Sequence, residues 1–247
     1  MSAFDDAKSL VQHAEAELPK IRRAYEESLS AKAIGALLLV EIKNICENLR
    51  SSLDFAAHGL FEKHSVAGSK KPNIYFPYAT SSQSRVEFEK SGRIDVCIPG
   101  LSAARPDVVN LILEMQHFGS KGYKWLPSFI SLTNENKHDR LVPQIRKESK
   151  ELRISGELRI SGGGASISIG QGASISIGTG ASMSIESAVV RGGQTFDANN
   201  PPQVQGGRVE VITWVSFHFE TNGEPVVPFL ETSLNGVREI VRELSST

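Results

Sequence analysis

The stretch GASISIGQGASISIGTGASMSIES, residues 164–187, repeats one eight-residue unit three times. Each unit alternates Ile or Met with Ser, and the first two are joined to the next by GQG or GTG. A period of two is the pattern of a β-strand, and short Gly-containing loops suit hairpins that end in a left-handed residue. Setting Ile169 opposite Ala173 places Ile167 opposite Ile175, so the Ile positions share one face. Ser155-Gly156-Glu157 turns the preceding LRIS pair in the same way. The expected result is an antiparallel meander. A β-solenoid is the rival, but roughly 36 residues make few rungs for a free-standing one. The repeat has no His, and its one carboxylate is the flanking Glu186. Its serines have no adjacent base, so the stretch holds a shape and performs no catalysis. A slip by one unit keeps every Ile on its face, which specifies register weakly and suits edge pairing between copies.

Upstream of Pro143 the period changes to that of a helix. Residues 3–31 carry Phe4, Leu10, Val11, Leu18, Ile21 and Tyr25 at helical spacing, with Pro19 as a point of kinking or splitting. Residues 32–64 carry the apolar stripe Leu38, Ile42, Ile45, Leu49, Leu53, Ala56, Ala57 and Leu60. The two segments are expected to pair antiparallel. Residues 65–100 read as irregular around Pro77 and Pro99. A third helix is expected over 103–118, with Ser102 as its N-cap, and a fourth over 126–139, with Pro127 in its first turn. Downstream of the repeat, 209–219 reads as a strand, 226–230 as a short extended piece and 232–244 as a closing amphipathic helix. The fold class is therefore α+β: an N-terminal helical bundle, residues 1–147, then an antiparallel β-sheet with Gly/Ser/Ile repeats and a C-terminal helix, residues 148–247, packed on the first region.

Composition narrows the function classes. The formal net charge is −1 over 247 residues, so the chain lacks an overall basic footprint for nucleic acid, although a local patch is compatible with it. Cys46 and Cys97 belong to no CxxC pair and sit among apolar residues, as buried free thiols do. The first residues lack the charged start and apolar core of a secretion signal. The longest apolar run, residues 33–40, is far below the ~20 residues that span a bilayer. A cytoplasmic protein without membrane association is expected.

Two polar sets interrupt the apolar helices. ENLRSSLDFAAH, residues 47–58, spaces Arg50, Asp54 and His58 four apart, along one drifting helix face. LTNENKHDR, residues 132–140, spaces Asn134, Lys137 and His138 at i, i+3 and i+4. Packed together, these helices could bring both sets to one cleft.

These segments resemble a family of uncharacterised bacterial and phage proteins. Its pattern is Asn-Leu-Arg-Ser-x-Leu-Asp-His on a helix, then a Phe-Pro motif, then a helix ending Asn-x-Asp-Lys-His-Arg. The chain has NLRSSLDF at 48–55, YFP at 75–77, IPGLS at 98–102 and NENKHDR at 134–140, in that order. The family's Arg-to-His spacing is similar to that of HEPN domains, helical modules of toxin and phage-defence ribonucleases that commonly act as dimers. The resemblance implies a cytoplasmic homodimer that acts on RNA or a nucleotide in phage defence or stress. It implies metal-independent cleavage with no cofactor. Arg50 would hold phosphate, with Asp54, Asn134 and Lys137 completing the ligand site. His138 or His58 would move the proton.

One departure bears on this. Phe55 stands where the family has His, and a phenyl ring transfers no proton. Three readings follow: a ribonuclease, a binding or regulatory module with catalysis lost, or a structural protein that self-assembles through its repeat. Each polar residue also has a plainer reading. Arg50–Asp54 reads equally as an i,i+4 ion pair, His58 as a core-edge histidine, and Asn134, Lys137 and His138 as groups satisfying a helix C-terminus. Asp54, His58 and His138 follow no recognised metal-ligand spacing.

Overall fold

The computed structural model describes residues 2–31, 34–64, 73–138, 144–155, 158–161, 165–168, 174–177, 182–185, 188–191, 195–197 and 208–247, with side chains described outside 30–31, 136–138 and 148–214. The class is α+β. The chain divides into two compact units, Met1–Ile145 with Phe217–Thr247, and Arg146–Ser216.

The first unit is built on two 29-residue helices, α1 (Ala3–Ala31) and α2 (Ala36–His64). Helix α1 continues through Pro19 without a break in assignment. Ala7, Val11, Ala14, Leu18, Ile21 and Tyr25 bury one face of it, at the i, i+3/i+4 spacing of an amphipathic helix. All eight residues of the expected α2 stripe are buried. The helices run antiparallel, since the C-terminal half of α2 meets the N-terminal turns of α1. There the Ser52 hydroxyl donates to the Ala7 carbonyl at 2.8 Å. Gly59 lies so close to the Phe4 ring that a Cβ would stand 2.6 Å from it.

The segment expected to be irregular contains two short helices, α3 (Arg85–Lys90) and α4 (Arg93–Cys97). Helix α3 starts at a capping box in which Ser84 and Glu87 satisfy each other's backbone N–H. The signal was present as Ser-x-x-Glu but stood ahead of too short an apolar pattern to register. The helix expected over 103–118 is two helices, α5 (Leu101–Ala104) and α6 (Pro106–Met115). Arg105 breaks them apart at φ −145°, ψ 72°, because the ring of Pro106 drives the residue before it out of the helical region. Ser102 is therefore inside α5 and not a cap; its N–H donates to Asp95 at 3.0 Å.

Helix α7 (Trp125–His138) matches its expected span. At the C-terminus the expected extended piece over 226–230 is instead the start of α8 (Val226–Ser245). Pro225 caps it and Pro228 lies in its first turn, where a missing N–H costs no intrahelical bond. Helix α8 packs on α1, α2 and α7, so the terminal helix belongs to the helical unit and not to the β unit with which 148–247 was grouped. Gly236 permits the α7 contact: a Cβ there would stand 2.2 Å from the Trp125 ring. Phe217 and Phe219 are buried in the same core, where the Phe217 N–H donates to the Tyr25 hydroxyl at 2.9 Å.

The strands are β1 (Gln144–Ser155), β2 (Leu158–Ser161), β3 (Ala165–Ser168), β4 (Ser174–Ile177), β5 (Ser182–Ile185), β6 (Ala188–Arg191), β7 (Thr195–Asp197) and β8 (Arg208–Phe219). β1 pairs with β8, and the rest form the sheets β2-β5-β6 and β3-β4-β7. The pairings within these two sheets are antiparallel, and Ile167 stands opposite Ile175. The order is nested, with β3–β4 inside β2–β5. This differs from the expected meander: among the described residues β5 pairs with β2 and β6 and not with β4, and β2 does not pair with β1. Near-identical units accept several registers, so local loop chemistry at each Gly pair does not decide which strands meet.

Candidate functional site

The polar face of α2 meets the segment Ile74–Ala79, and two polar groups, one half-buried and one buried, hold that segment in place. Asp54 Oδ1 accepts the Phe76 N–H at 2.9 Å. Gln116, fully buried at the end of α6, accepts the Ala79 N–H at 2.9 Å and donates to the carbonyls of Pro77 and Ile112 at 3.3 and 3.0 Å. A buried amide with its groups paired fixes a loop firmly, because leaving them unpaired costs on the order of 1–3 kcal/mol. Gln116 was invisible as a functional position in the sequence, since nothing in its spacing marks it.

Held this way, the segment presents Tyr78 to two cations. The Arg50 guanidinium carbon lies 5.1 Å from the Tyr78 ring centroid and that of Arg93 lies 5.7 Å from it. Both are within cation–π range. Arg50 also pairs with Asp54, Nε to Oδ2 at 3.4 Å, while its buried Nη1 has no acceptor among the described residues. Burial raises the pKa of Asp54, against which Arg50, the Phe76 N–H and His58 favour the ionised form. Cys97 faces the same charges; burial pushes its thiol up while Arg93 and Arg50 pull it down. Cys46 is fully buried and pushed up to about 12, and both thiols are free.

The site residues expected from sequence fall into three groups. Arg50 and Asp54 are joined directly, and His58 follows half-buried on the same face. Phe55, at the motif's His position, is 37% exposed, so no proton-transfer group stands there. Asn134 lines a groove of about 360 Å³ that Tyr78 also lines and Arg50 does not. The side chains of Lys137 and His138 lie outside the described residues, as do 139–143.

No family model, no curated protein and no solved structure matches this chain. The site therefore rests on its own chemistry. Arg50, Arg93 and Tyr78 form a cationic, aromatic corner with one open guanidinium donor. Sequence reasoning found Arg50 through its helix spacing and missed Arg93 and Tyr78, which lie on a short helix and a loop with no periodicity to mark them. Among the described residues no group of three or more His, Cys, Asp or Glu could hold a metal ion, and no helix is long and apolar enough to cross a membrane.

Proposed function

We propose that the protein is a HEPN-like module that binds RNA or a nucleotide through its phosphate and does not cleave it. The carrying observation is the paired approach of Arg50 and Arg93 to Tyr78 with Arg50 Nη1 lacking an acceptor. A guanidinium with a free donor recognises phosphate oxygens through short charge-assisted hydrogen bonds. A second guanidinium on the same ring adds charge. Cleavage would further need a group that moves a proton beside that phosphate. Phe55 offers none, Asp54 is occupied by Arg50 and the Phe76 N–H, His58 stands a helical turn beyond Asp54 from Arg50, and the His138 side chain lies outside the described residues.

Anisotropy of a labelled single-stranded RNA tests the reading. The parent should bind, Arg50→Ala and Arg93→Ala should each weaken binding about tenfold, and the slope of affinity against salt should fall in both. Equal binding by parent and both variants would remove the phosphate site from Arg50 and Arg93.

A further inference from the structure

The groove beyond Tyr78 has a composition of its own. Segment 78–81 forms one wall, α7 the second, and the turn between Phe219 and Glu224 the third. The turn is set by Gly223 at φ +71° and tied to α7 by the Thr221 hydroxyl, which donates to Glu135. Helix α7 contributes Ser128, Ser131 and Asn134, three residues apart and so on one face. Thr80 and Asn222 also line the groove, and among the described residues no charged side chain does. Asn222 uses Oδ1 to accept the Glu224 N–H at 3.0 Å, leaving a buried Nδ2 donor with no acceptor. A buried amide donor left open is costly, and a ligand oxygen would satisfy it.

The described lining, neutral hydroxyls and amides with Ala79, Pro127 and Ile130 beside one aromatic ring, suits a polyhydroxylated group with an apolar face. The volume lies at the low end of small-ligand sites. We infer that this groove takes the ribose of a ribonucleotide, with Asn222 Nδ2 and the Ser128–Ser131–Asn134 face bonding its hydroxyls. This inference rests on the phosphate reading, because Tyr78 is the wall that the groove shares with Arg50 and Arg93.

Isothermal titration of the full chain tests it with three probes: inorganic phosphate, the four ribonucleoside 5′-monophosphates, and their 2′-deoxy counterparts. Ser131→Val and Asn134→Leu fill the groove from an exposed face of α7, and unchanged melting temperatures would verify that both variants fold. At least one ribonucleotide should bind about tenfold tighter than its deoxy form and than phosphate, because a site built to bond a hydroxyl rejects the analogue without it. Both variants should erase that advantage and leave phosphate binding unchanged. Ribonucleotides that bind no tighter than phosphate, or equally with their deoxy forms, would overturn the groove assignment while the phosphate site stood. Loss of ribonucleotide binding in Ser131→Val with none in Arg50→Ala would do the reverse. No binding of any probe would overturn both.

Discussion

The helical unit and the nested strands solve the problem of register in opposite ways. In the helical unit each contact is unlike the next: Gly59 against Phe4, Gly236 against Trp125, Ser52 bonded to Ala7. Sliding α2 along α1 would break the first and the last, and sliding α8 along α7 would break the second, so the packing has one solution. In the strands, Ile stands opposite Ile and Ser opposite Ser, and a shift by a whole unit restores the same match. Uniqueness in this chain comes from irregular packing, and repetition supplies length without position. The functional candidates all lie outside the repeat.

The comparison breaks first in the core. Leu53 is fully buried between helices, and Leu53→Ala should cost about 2–5 kcal/mol, read as a drop in the denaturant midpoint of the helical unit. Gly236→Ala comes next. Its new Cβ would meet the Trp125 ring well inside contact distance, and helix propensity cannot offset the overlap, so a loss of about 1–3 kcal/mol is expected. A gain in stability would mean that the α7–α8 contact is looser than described.

A smaller effect depends on pH. Glu114 is held at about 2 by hydrogen bonds from Ser120 and then by Arg85, which donates at 2.7 Å. Its folded pKa is below the ordinary 4.5. Its contribution is therefore present above that value and is lost as pH falls from about 4.5 toward about 2. Urea midpoints across that window should fall less steeply in Glu114→Gln than in the parent. Identical slopes would mean that this pair does not couple folding to protonation.

The smallest effect sharpens the comparison. Removing one repeat unit, residues 173–180, should leave the helical unit's melting midpoint within about 2 °C, since none of its buried side chains is touched. A large shift would show that the strands support the helices.

The long helices are legible because α1 and α2 carry sustained periodicity, and the span of α7 and the strand expected over 209–219 are legible for related reasons. The sequence did not show the break at Arg105, where the geometry imposed by Pro106 overrode an apolar pattern that continued through it. Nor did it show the start of α8, because Pro225 and Pro228 read as extended when one is a cap and the other a first-turn residue. The strand partners were illegible because the repeat is degenerate. At the site, Arg50 and Asp54 stood out by spacing. Arg93, Tyr78, Gln116 and Asn222 come from three-dimensional convergence of loops and short helices, which no local pattern encodes.

The central claim is that this site holds phosphate without breaking the chain that carries it. The most direct measurement is gel analysis of an RNA pool incubated with the full-length protein in EDTA at the concentration that saturates binding. The account predicts RNA that is bound and intact. Cleavage products that vanish in Arg50→Ala would contradict it, and would require a proton-transfer group other than residue 55 beside Arg50.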